Sequence, residues 1–124
     1  MEALISILIF SFGVLGLMGI EARAINFSVD AEDRNRAALF ASEVTSTLWL
    51  SGNGTGNVAA TIAANLATWQ ANVANPAATG LPNGTINVAQ IGTTNAANIT
   101  ITWKPPQRIV TDSTSVLTTR VILP

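Results

Sequence analysis

The chain has 124 residues, seven acids against six bases, a net charge of −1, and neither histidine nor cysteine. That length suits one small domain, and that charge offers nucleic acid no attracting field. Without a thiol or an imidazole, zinc knuckles, disulfides and most familiar nucleophile–base pairs are excluded, which favours a building or decorating role over an enzyme.

Only 10% of the residues are charged while 48% are apolar, and the mean hydropathy is +0.42. The excess is concentrated at one end. Residues 3–20, ALISILIFSFGVLGLMGI, carry no charge. As a helix rising about 1.5 Å per residue they would span roughly 27 Å, close to the hydrocarbon thickness of a bilayer. The run is too long for the core of a signal peptide, and no basic segment precedes it. Ser6 and Ser11 are compatible with a membrane helix, since a hydroxyl can bond the carbonyl one turn back. Gly13, Gly16 and Gly19 recur every three residues, which puts them near one face. They serve either close helix packing or local loosening of the helix outside lipid, at roughly 1 kcal/mol per glycine in water. Glu2 stands at the mouth of this run. It either complements the helix dipole or enters an apolar bundle, where a buried carboxylate needs a cationic partner. The first base along the chain is Arg23, so such a partner would be a chain terminus or another molecule.

Between residues 20 and 50 there is neither proline nor internal glycine, so the helix is expected to continue as one rod of about 50 residues, near 75 Å long. Ile20, Ala24, Phe27, Ala31, Ala38, Ala41, Val44 and Leu48 recur at helical spacing and predict one apolar stripe. The charged stretch 30–36 reads as a solvated face, with Asp30–Arg34 and Glu32–Arg36 as acid-before-base pairs. Three segments follow: a helix over 1–25 that spans a membrane or packs among similar helices, its amphipathic continuation over 26–50, and a head over 51–124.

The head opens on the glycine-rich loop 51–57, with Gly52 expected as a left-handed cap and Asn57 capping a second, shorter helix. Ile62, Leu66, Trp69 and Val73 mark the buried face of that helix, and Asn75-Pro76 stops it. Leu81-Pro-Asn-Gly84 reads as a turn. Three strands are then expected, over 85–91, 95–103 and 116–123. Ile99, Ile101 and Trp103 share one face of the second, and Leu117, Thr119, Val121 and Leu123 one face of the third. Pro105-Pro106 ends the middle strand. The predicted class is α+β, an antiparallel meander laid on the helix stripe. Asn-x-Ser/Thr triplets at Asn26, Asn53, Asn83 and Asn98 are expected of so Asn- and Thr-rich a chain. Asp112 near Ser113 and Ser115 lacks a base to activate either hydroxyl. No catalytic residue, metal ligand or cofactor site is assigned.

The segment from Glu2 to Gly19 resembles the N-terminal helix of type IV pilins, most closely the PilV-type minor pilins, with their glutamate, apolar run and Gly-x-x-Gly stretch. The resemblance extends through residues 30–39, the Trp69 helix, Leu81-Pro-Asn-Gly84, Ile99-Thr-Ile-Thr-Trp103 and the closing strand. It implies a structural subunit held in the bacterial inner membrane, head in the periplasm, that enters or primes a pilus. Its partners would be other major and minor pilins and the inner-membrane assembly platform. Glu2 matches the glutamate that meets the N-terminal amine of a neighbouring subunit in the family. A pseudopilin of a type II secretion system shares this logic, and a membrane-anchored adhesin is a further alternative. The family carries a basic leader ending in glycine and a methylated first residue, usually phenylalanine; here Met1 precedes Glu2. The expectation is therefore a leader upstream of Met1, or a copy not processed in the usual way. Many pilins also close the C-terminal region with a disulfide, which this chain has no cysteine to form.

Overall fold

A computed structural model describes residues 2–52, 57–106 and 113–123. Its elements are α1 (Glu2–Gly52), α2 (Val58–Ala74), α3 (Pro76–Thr79), β1 (Thr85–Gln90), β2 (Ala96–Trp103) and β3 (Ser115–Ile122). By its contacts the chain divides into two compact units, Met1–Glu32 and Asp33–Pro124. The α+β expectation holds: a long N-terminal helix packs against a three-stranded antiparallel sheet, with two shorter helices.

Helix α1 runs unbroken for 51 residues. The β-branched stretch near its end is accommodated because the hydroxyls of Thr45, Ser46 and Thr47 donate to carbonyls four residues back, at 2.7, 2.9 and 3.0 Å. Gly52 is the last helical residue rather than a left-handed cap. The following residues 53–56, which include Asn53 and the loop glycines Gly54 and Gly56, lie outside the described residues.

The buried stripe of α1 differs from the predicted one. Asp33, Ala37, Phe40, Ala41, Val44 and Leu48 are buried, whereas Ala38 is exposed, as are Ile20, Ala24, Phe27 and Ala31. Burial on α1 thus begins at Asp33, inside the band read as solvated, and Arg36 is half-buried. The reason is geometric: Asp33 stands one turn before Ala37, on the line that continues through Ala41, Val44 and Leu48. Periodicity alone accepted Ala38 because a 3-4 spacing tolerates either neighbour.

Asn57 caps α2 as expected, its side-chain oxygen accepting from the Ala60 amide at 3.0 Å. Asn57→Ala is expected to cost about 0.5–2 kcal/mol of head stability, read as a lower urea midpoint at unchanged slope. Val58, Thr61, Ile62, Trp69 and Val73 of α2 are buried, and Leu66 packs half-buried against the core. Asn75 both ends α2 and, through its side chain on the Ala77 amide at 3.0 Å, caps the short α3. The sequence pattern of Asn75-Pro76 shows the stop but not the restart. Proline at the first helical position restarts a turn as readily as it ends one.

The sheet order is β1-β2-β3 with both pairings antiparallel. Register places Ile86, Ile101 and Leu117 in one inward row and Val88, Ile99 and Thr119 in the next. Ile86, Val88, Ala97, Ile99, Ile101 and Trp103 are buried with Ala37, Val44 and Leu48 of α1 and Trp69 of α2 in one hydrophobic cluster. The opposite face is largely polar, and there the hydroxyls of Thr85 and Thr102 hydrogen-bond across the strands. The strands begin or end within a residue of the predicted limits. Asp112 lies outside the described residues.

A buried leucine, a left-handed turn residue and one tight approach form the α2–β1 corner. Leu81 is fully buried, and Asn83 takes a positive φ of 50° within the predicted turn. Gly84 presses so close to α2 that a Cβ there would stand 2.5 Å from the Val73 carbonyl oxygen, so only glycine fits without backbone movement.

Candidate assembly surface

The described residues of the first unit consist of helix alone, and its chemistry is that of its surface. From Leu4 to Phe27 the large apolar side chains are exposed all round the helix; Phe10 is 72% and Phe27 73% accessible. An 18-residue window of α1 has a mean hydropathy of 2.4 with none of it buried. By length and composition α1 can cross a membrane. Within residues 3–20 the two serine hydroxyls are satisfied inside the helix. Ser6 Oγ donates to the Glu2 carbonyl at 3.0 Å and Ser11 Oγ to the Ile7 carbonyl at 2.8 Å. Over residues 3–20 the helix therefore presents an uncharged, mainly hydrocarbon surface, and the charged Glu21 and Arg23 follow it.

Glu2 sits in the first turn of α1, exposed. Gly13, Gly16 and Gly19 are also exposed, and a Cβ built on any of them meets nothing within 4 Å. Among the described residues no contact requires glycine at these positions. Three glycines in an apolar helix with nothing above them leave backbone open to whatever lies alongside.

The second unit holds a cleft of about 370 Å³ between residues 36–43 of α1 and the α2–α3 corner, with Arg36, Phe40, Glu43, Asn72 and Thr79 among its lining. Arg36 closes one side. Its Nη1 donates to the Gly80 carbonyl at 2.9 Å. Gly80 ends α3 in the left-handed conformation at φ 70°, and a Cβ there would stand 2.5 Å from that same nitrogen. Arg36 is therefore a latch between α1 and α3. Sequence reading assigned it only an intrahelical pair, because the acceptor lies 44 residues away. Among the described residues no group of three His, Cys, Asp or Glu is placed to hold a metal ion.

The residues the sequence singled out are thus on one element, α1, and concern its surface rather than a pocket. No family model matches the chain, and neither does any curated protein or solved structure.

Proposed function

We propose that this chain is a minor pilin, a structural subunit of type IV pili held in the bacterial inner membrane by α1 and drawn from there into the filament. The observation that carries the reading is a helix exposed and uncharged over residues 3–20, continuous in sequence with a half whose single stripe enters the head core. A surface of that kind needs lipid or other apolar helices as its solvent. Membrane and filament are then two burial states of one helix. Extraction from lipid becomes feasible when neighbouring subunits' helices cover the same area.

Glu2 supplies register in this scheme. Within a bundle of apolar helices its carboxylate would meet the N-terminal amine of a neighbouring pilin, since an unpaired buried charge costs several kcal/mol. The exposed glycines would let those neighbours approach, or let the helix loosen as it leaves the membrane. The head faces the periplasm first and the filament exterior afterwards, and the inner-membrane assembly platform would be the other partner.

Glu2→Ala is expected to leave head folding and membrane level unchanged while recovery in sheared filaments falls at least about tenfold, the factor that 1.4 kcal/mol of lost pairing represents. Immunoblots of membrane and sheared fractions read this directly. Undiminished recovery of the variant in filaments overturns the reading.

A further inference from the structure

Among the described residues β3 bonds only to β2 and forms the open edge of the sheet, whereas β1, at the other edge, lies against α2. The Leu123 amide donates to the Asn95 carbonyl at 2.7 Å. Because N–H and C=O groups alternate sides along an antiparallel strand, the odd-numbered residues of β3 turn theirs to β2. Val116, Thr118, Arg120 and Ile122 turn theirs to the open edge. An eight-residue edge of this kind is usually blunted by proline, lysine or a bulge; β3 carries a single charge, Arg120, and no proline. Its outer face instead shows two exposed aliphatic residues, Val116 at 56% and Ile122 at 66%.

Self-pairing of this edge about a two-fold axis has few possible registers. Each residue must keep its own face of the sheet, so the axis passes through a residue and never between two. Centred on Arg120, two guanidinium groups meet directly, which is unfavourable. Centred on Thr118, Val116 faces Arg120 and the aliphatic match is lost. Centred on Thr119, Val116 faces Ile122 twice, Leu117 faces Val121 twice, and Arg120 faces the uncharged Thr118. In that register all four edge residues exchange both backbone hydrogen bonds with the second strand.

We propose that two copies of this chain pair antiparallel through β3, two-fold about Thr119, into one continuous six-stranded sheet. The contact is isologous, as closed dimers require. It depends on residues 115–123 alone and stands independently of the role proposed for α1.

The absence of cysteine gives a clean background for testing it on the full chain in detergent micelles. On the axis the two Thr119 residues form a non-hydrogen-bonded pair about 4.5 Å apart at Cα, within the range of a disulfide. Thr118 and Arg120 meet their own copies only diagonally, about 7–8 Å apart. Under mild oxidation Thr119→Cys is expected to give several-fold more disulfide-linked dimer than Thr118→Cys or Arg120→Cys. Adding Val116→Lys to Thr119→Cys should abolish most of that linkage, and further adding Ile122→Glu should restore it by placing opposite charges across the edge. Equal yields at all three positions, as two helices sharing a micelle would produce, overturn the proposal, as does a maximum at 118 or 120. A monomeric mass for the unsubstituted chain by sedimentation, corrected for bound detergent, overturns it as well.

Discussion

A chain beginning at Phe27 should remain in aqueous solution as a folded head, whereas the full chain should require detergent. The difference lies in the surface that removal of residues 1–26 takes away. The large side chains from Leu4 to Ile25 stand mostly between 57% and 72% exposed, with Val14 lower at 36%. Covering a side chain of that size is worth roughly 1.5–3 kcal/mol, so the run together amounts to on the order of 20 kcal/mol that water withholds. No head of this size has stability enough to offset that, since small domains are stable by only about 5–15 kcal/mol. The head itself loses nothing by the cut, because burial on α1 begins at Asp33. Size-exclusion chromatography without detergent, with tryptophan emission reporting burial of Trp69 and Trp103, reads both parts of the expectation. A full chain that stays monomeric and monodisperse without detergent would remove the basis for the membrane anchor.

Leu48→Ala should be the most costly single truncation on α1, at about 2–5 kcal/mol, while Leu50→Ala, two residues away, should stay within about 0.5 kcal/mol of the parent. Two residues along a helix turn the side chain by about 200°, from the core to the opposite side. Leu48 is fully buried in the cluster with the sheet and α2, and Leu50 is 82% exposed. Truncating the first leaves a void in that cluster that close packing prevents from collapsing fully. Truncating the second removes atoms that touched water. Urea unfolding of the chain beginning at Phe27 compares the two directly. Equal losses would place the α1 stripe elsewhere than along Ala37, Ala41, Val44 and Leu48.

These two expectations describe one helix serving two solvents. Among the described residues its first part makes no contact that uses Gly13, Gly16 or Gly19, and its second part is packed through a mainly apolar stripe that includes Ala37, Phe40, Ala41, Val44 and Leu48. In the proposed pilin, the head would hold its shape through that stripe in either setting. The apolar part would exchange lipid for protein without refolding.

Much of this is legible in the sequence alone, and the legible part is what local chemistry decides. From Ile20 to Leu50 helix formers without proline or glycine specified the continuation of the apolar run as one helix, because nothing in that stretch removes a backbone donor or favours a turn. Asn57 announced a cap, and the alternation through Ile99, Ile101 and Trp103 announced a strand with one buried face. Periodicity names residues that share a face; it does not name what the face meets. Hence the structure alone distinguished Ala37 from Ala38, drew Asp33 into the buried line, and paired Arg36 with a carbonyl 44 residues away. It also required glycine at position 84 against the Val73 carbonyl and, among the described residues, placed β3 at the edge of the sheet. Those outcomes depend on surfaces brought together from distant parts of the chain, and the energy of such a contact is set by the partner as much as by the residue.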